Sequence, residues 1–150
     1  MANSYYERHN VALALSTFLA SNSWTLPTII EGFQSEEQIT VPLVSVHFLP
    51  SRMFNLQMAS GATKSLIRRV QFDAYMETEP RAEVIAGHIM EFVDDTVVNI
   101  VDPLGANIGV MYCTDNSTIT ASTTPPNLSN PRVTRWRAVV QATFDAYYNL

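Results

Sequence analysis

A single cysteine, Cys113, stands in 150 residues, so no internal disulfide can form and no cysteine-based metal site can be built. Its position at the end of an apolar run reads as that of a small buried residue. Charge is sparse as well: 15% of residues are Asp, Glu, Lys or Arg, with a formal balance of −5 and a pI near 5.0. An acidic chain lacks the basic footprint of a protein whose main work is to grip nucleic acid. No apolar stretch approaches the roughly 20 residues that a membrane-spanning helix needs. There is no basic start followed by an apolar run and a small-residue cleavage site, so the expected setting is cytosolic. His9, His47 and His88 show neither HxxxH nor HExxH spacing, and each reads as a surface or sheet-face histidine. A glycine-rich phosphate loop and a GxSxG elbow are both missing. These absences give no catalytic, cofactor or metal site to expect. The remaining composition, 47% hydrophobic over 150 residues, suits one domain, 1–150, with a substantial core.

The periodicities that are present alternate between helix and strand. From Ser4 to about Ser21, Val11, Leu15, Phe18 and Leu19 recur at helical spacing while Glu7, Arg8 and Asn10 fall mainly elsewhere, which predicts an amphipathic helix. Leu26 to Ile30 reads as a short extended piece. Pro42 to Leu49 alternates Val44, Val46 and Phe48 with Ser45 and His47, a strand closed by Pro50. Ser51 to Thr63 has no clear period and reads as a loop, although it carries Met53, Phe54 and Met58. Leu66 to Met76 alternates again, interrupted by Arg68. A second helix follows, with Thr78 and Glu79 as capping candidates and Pro80 near its first position, an apolar stripe through Ile85, Ile89 and Phe92, and an end near Asp94 or Asp95. Val97 to Val101 and Ile108 to Cys113 read as strands joined by an Asp102-Pro103-Leu104-Gly105 turn. Thr114 to Pro131 is polar throughout and reads as a long connection. Val133 to Tyr148 is the cleanest alternation in the chain. Strands and helices without regular βα alternation indicate an α+β fold, a mostly antiparallel sheet with two helices packed on one face.

The tetrapeptide FDAY occurs in both long strands, as Phe72-Asp73-Ala74-Tyr75 and Phe144-Asp145-Ala146-Tyr147. In each copy Phe and Ala fall on the apolar face while Asp and Tyr fall on the other, so the copies are equivalent in pleat. The similarity stops after four residues, which points to shared strand chemistry rather than to duplication. Asp73 and Asp145 have the residue type of an acid/base carboxylate pair, but as strand residues beside Arg69, Arg135 and Arg137 their simplest reading is solvated ion pairing. A strand from Val133 to Tyr148 would run roughly 50 Å at about 3.3 Å per residue. A domain of this size is only about 40 Å across. Such strands must bend or leave the globule, and their edges call for cover, which pairing with neighbouring subunits would provide.

The order of these segments resembles the tail terminator, or tail-completion, proteins of long-tailed double-stranded DNA bacteriophages. The likeness runs over nearly the whole chain: an N-terminal helix, LPTII, the strand PLVSVHFLP, a long strand passing straight into a helix (IRRVQFDAYMETEPRAEVIAGHIMEFV), and the closing strand TRWRAVVQATFDAYYN. It implies a structural virion protein, not an enzyme, forming a homo-hexameric ring that caps the tail tube, stops its polymerisation and joins it to the neck or head connector protein. It further implies assembly in the host cytoplasm, residence in the virion tail or neck, and double-stranded DNA passing through the lumen without specific binding. On that reading Met53, Phe54 and Met58 are candidate partner contacts, and Arg69, Asp73, Arg135, Arg137 and Asp145 are candidate lumen-facing residues. Two alternatives carry different expectations. A phage neck or head-completion protein would also be small and ring-forming. A small cytosolic enzyme or ligand-binding α+β domain would need a concave pocket with convergent polar groups.

Overall fold

The computed structural model describes residues 4–22, 27–32, 41–49, 56–57, 63–113, 120–124 and 136–149. In chain order the elements are α1 (Ser4–Ser21), β1 (Thr28–Glu31), β2 (Leu43–Leu49), β3 (Leu56–Gln57), β4 (Thr63–Met76), α2 (Glu79–Asp95), β5 (Val98–Val101), β6 (Asn107–Tyr112), β7 (Thr120–Thr124) and β8 (Trp136–Asn149). Mixed helix and sheet of this kind is α+β.

Both helices are built from ordinary local rules. In α1, Val11, Leu15 and Leu19 are fully buried and Ala12 nearly so, as a stripe at three- and four-residue spacing requires. Its last turn is closed by its own polar side chains: Ser21 Oγ donates to the Thr17 carbonyl and Asn22 Nδ2 to the Phe18 carbonyl, each at 2.8 Å. In α2, Thr78 is the N-cap, in extended conformation, its hydroxyl accepting from the Arg81 amide at 3.4 Å. Pro80 sits in the first turn, where its missing N–H costs nothing. The N–H of Thr96 closes the other end on the Phe92 carbonyl at 3.0 Å.

The sheet runs β1-β2-β4-β8-β6-β5, with β3 beside β4 and β7 beside β8. The β1–β2 pair is parallel, and the other described pairs are antiparallel. At its centre β4 and β8 pair at fourteen positions, from Thr63 opposite Asn149 to Met76 opposite Trp136. Fourteen residues span about 46 Å, and the chain covers the outer edge of each long strand with two successive neighbours. β3 and then β2 flank β4, at Lys64–Ser65 and Arg69–Tyr75. β7 and then β6 flank β8, at Arg137–Gln141 and Asp145–Tyr148. This corrects the expectation that the long strands leave edges for neighbouring subunits. The ends of the sheet path are the four-residue strands β1 and β5.

Strand parity is as the alternation indicated. Val70, Phe72, Ala74 and Met76 of β4 and Ala138, Val140, Ala142, Phe144, Ala146 and Tyr148 of β8 join Val11, Leu15, Ile85 and Ile89 of the helices in one buried cluster. Phe92 meets Phe18 and Phe72 edge to face, with centroids 5.6 and 6.2 Å apart. Gly105 and Gly109 are demanded by geometry. Gly105 takes φ +87° in the β5–β6 turn, where Asp102 Oδ1 accepts from the Leu104 and Ala106 amides at 2.9 and 2.8 Å. A Cβ on Gly109 would overlap the Tyr147 carbonyl oxygen of β8.

Two strands were not expected. β3 lies inside the segment read as a loop, and at two residues it is too short to show a period. β7 lies inside the polar connection, where TASTT offers β-branched threonine but no apolar alternation.

Candidate functional site

On the face of β2, β4 and β8 away from the helical core, side chains that the sequence marked as solvent-facing are buried. Ser45, His47, Gln71 and Asp73 have relative exposures of 3, 2, 8 and 1%. Register explains their meeting: Ser45 is opposite Asp73, His47 opposite Gln71, and Gln71 opposite Gln141 across the next strand. A directional hydrogen-bond chain results. Gln141 Nε2 donates to Gln71 Oε1 at 2.8 Å, and Gln71 Nε2 donates to both oxygens of Asp73 at 3.1 Å. Arg137 completes it, giving Nε at 3.1 Å and Nη2 at 2.7 Å to Asp73 Oδ1. Its guanidinium carbon lies 6.0 Å from the Tyr75 ring centroid.

Asp73 thus carries a buried charge matched by a partly exposed guanidinium, the arrangement that makes burial of a carboxylate tolerable. His47 Nε2 stands 3.4 Å from Asp73 Oδ2, long for a hydrogen bond. Burial pushes the His47 imidazole below its usual range. The Asp73 charge pulls it back up, and the charges of Arg137 and Arg8 push it down further. On Arg137, burial acts downward, but the hydrogen bond and charge of Asp73 outweigh it and the guanidinium is held protonated. Ser45 Oγ donates to the Gly32 carbonyl. Ser45, His47 and Asp73 therefore do not form a nucleophilic relay, since the hydroxyl is committed to backbone and all three are enclosed.

The candidate lumen-facing residues separate. Arg69 is exposed, Arg137 is 42% exposed in its side chain, and Asp145 is half-buried. Asp73 corrects the expectation of a wet strand residue: it is enclosed, because β2 lays Ser45 and His47 beside it and β8 lays Arg137 over it. Asp73 and Asp145 do not meet; Asp73 is opposite Val139 in β8, six residues from Asp145, or roughly 20 Å along the strand. Arg135, Met53, Phe54 and Met58 lie outside the described residues.

A second buried ion pair joins the helix layer to the sheet. Arg68, the residue that interrupts the apolar side of β4, gives Nε and Nη2 to the two oxygens of Glu7 at 2.9 and 3.1 Å. Glu7 is wholly buried, which corrects its placement off the apolar face of α1: it extends the Val11–Leu15–Leu19 stripe one turn further. The interruption in the strand was the visible trace of this pair, but its partner lay sixty-one positions away. Burial and the Glu7 carboxylate beside it push the Tyr148 phenol up from its usual range. Nearer the sheet edge, Glu31 of β1 accepts from His9 at 2.9 Å and pairs with Arg8 at 3.7 Å, and Asn10 Nδ2 donates to the Val101 carbonyl of β5 at 3.2 Å. No group of three His, Cys, Asp or Glu side chains suited to a metal is found among the described residues, and no described helix is long and apolar enough to cross a membrane.

Comparison with known proteins gives little beyond shape. No protein family's sequence model matches the chain, and no curated protein matches it. Solved structures do match: one aligns over 97% of this chain and 96% of its own, at 12% identity and a TM-score of 0.47. A likeness at that level carries no argument about function.

Proposed function

We propose that this chain is a structural virion protein, a tail-terminator-like domain that closes into a homo-hexameric ring on the tail tube, stops its growth and joins it to the neck or head connector. The observation that carries this reading is the order of elements along the chain. A leading helix, a short edge strand and a Pro-bounded strand precede a fourteen-residue strand that enters a helix within three residues, and an equally long aromatic strand comes last in chain order and pairs with it at the centre of the sheet. The sheet this protomer needs is mostly antiparallel with both helices on one face. The antiparallel β2-β4-β8-β6-β5 pairings and the common core of α1, α2 and the β4–β8 apolar side support that arrangement.

Charge supports passage of DNA rather than its capture. Between Glu77 and Asp95 the sequence holds Glu77, Glu79, Glu83, Glu91, Asp94 and Asp95 against Arg81 alone, a balance of −5 that equals that of the whole chain. All seven are exposed, so α2 is the surface least suited to phosphate. The sheet face opposite the core is the better channel lining. There Arg137 is already engaged by Asp73, and Arg69 is the other described arginine of that face, exposed to solvent. Few free cations release few counterions, so duplex would slide without being held.

The test is co-assembly. Added to tail tubes that lack a cap, the protein should bind one end, hold tube length fixed and make the tubes competent to join heads. Binding to empty heads but not to tubes would instead favour the neck or head-completion reading, and binding to neither would overturn both.

A further inference from the structure

Asp73 is enclosed between two bases of different mobility. His47 is fixed in the interior at 2% exposure, while Arg137, at 42%, has water at its back and the Tyr75 ring to rest against. A carboxylate offers about four lone-pair directions, and the donors on Asp73 are unevenly shared: Oδ1 takes both guanidinium N–H groups and the Gln71 amide, while Oδ2 takes the Gln71 amide alone. His47 Nε2 lies 3.4 Å from Oδ2, the oxygen with the fewer donors. A proton arriving on this imidazole would put two cations against one buried carboxylate. The excess charge can leave only with the group that can reach water, which is Arg137.

We propose that His47, Asp73 and Arg137 form a proton-driven exchange: protonation of His47 closes a His47–Asp73 ion pair and releases the Arg137 guanidinium from Asp73 to the solvent side of the sheet. The proton comes from solvent and stays on the imidazole; no covalent bond changes. Among the described residues the other charged or titratable groups facing this position are few. Arg8 of α1 acts on His47 from a distance, Arg69 stands exposed two positions along β4, and Tyr75 lies beyond Asp73 on the same strand. On β1, Glu31 is occupied by Arg8 and His9, and the described part of β2 brings no further titratable side chain. The consequence is a sheet face that is nearly self-neutralised at neutral pH and presents a free guanidinium to anionic groups after acidification.

Two NMR readings on the intact protein test this. In the wild type, the protection of the Arg137 Nε–H, its exchange rate compared with that of a free guanidinium at the same pH, should fall at least tenfold as pH falls through the His47 midpoint, while the Arg68 Nε–H, held by Glu7, stays protected. In Arg137→Gln the His47 midpoint should move to higher pH, because among the described residues Asp73 then has no cation against it except the imidazole. Arg137→Lys, which keeps a charge near the carboxylate, should shift it less. An Arg137 Nε–H that remains protected below the His47 midpoint would overturn the exchange, as would a His47 midpoint equal in wild type and Arg137→Gln.

Discussion

The two FDAY copies show how identical residues acquire different roles from their cross-strand neighbours. Phe72 and Phe144 are both fully buried, as strand parity predicted. Replacing Phe144 by Ala should cost about 3–5 kcal/mol through the cavity left behind. The aspartates diverge. Asp145→Asn at a half-buried position should change stability by less than about 1 kcal/mol, whereas Asp73→Asn removes the buried carboxylate that Arg137 and Gln71 share and should cost about 1–3 kcal/mol. Chemical denaturation of the three variants checks the order, and an Asp145→Asn cost above that of Asp73→Asn would reverse the assignment of faces. Alternation told which face each Asp takes, but not that β2 would enclose the first. That depends on register between strands twenty-four or more residues apart. The Glu7–Arg68 pair was hidden for the same reason. Glu7→Gln strands a nearly enclosed guanidinium and should destabilise by about 3–5 kcal/mol.

His47 also sets a pH response. Its folded-state pKa lies below the ordinary value of 6.5, so between the two values the unfolded chain binds more protons than the folded one. The contribution to stability is present above pH 6.5 and is lost as pH falls through the folded value. Melting temperature should therefore drop on acidification below neutrality, and His47→Gln should flatten that part of the profile. His88, also lowered by burial, acts in the same direction, so the flattening should be partial.

At the scale of elements, the helices and long strands were legible because each carries its own signal: the Thr78–Pro80 start of α2, the apolar stripes, the period-two runs of β4 and β8. β7 was not, since its threonines give a strand only by pairing with Arg137–Gln141 of β8. The neighbours of the long strands were also beyond reach of periodicity, which is why free edges were expected where the fold provides partners. Close approach of β6 to β8 gives a sharp test. Gly109→Ala forces a methyl group against the Tyr147 carbonyl and should destabilise by about 1–3 kcal/mol. On α2, a Cβ at Gly87 meets nothing within 4 Å, and Gly87→Ala should stabilise by about 0.5–1 kcal/mol. Thermal melts of the two variants should move in opposite directions. A neutral Gly109→Ala would mean that β6 can slide along β8.

For the whole molecule, the exposed acidic residues of 77–95 make α2 an acidic surface, while on the β2-β4-β8 face Asp73 is paired with Arg137 and Arg69 stands exposed. Two copies pressed together through α2 would set like charges against each other, so the proposed ring should keep α2 away from its own neighbours. Closure into a ring is tested by native mass measurement, on the purified protein and again after mixing with uncapped tail tubes. Six chains of 16.8 kDa predict a species of about 101 kDa in at least the second condition. A mass that stays at 16.8 kDa at micromolar concentration in both conditions would rule out the ring.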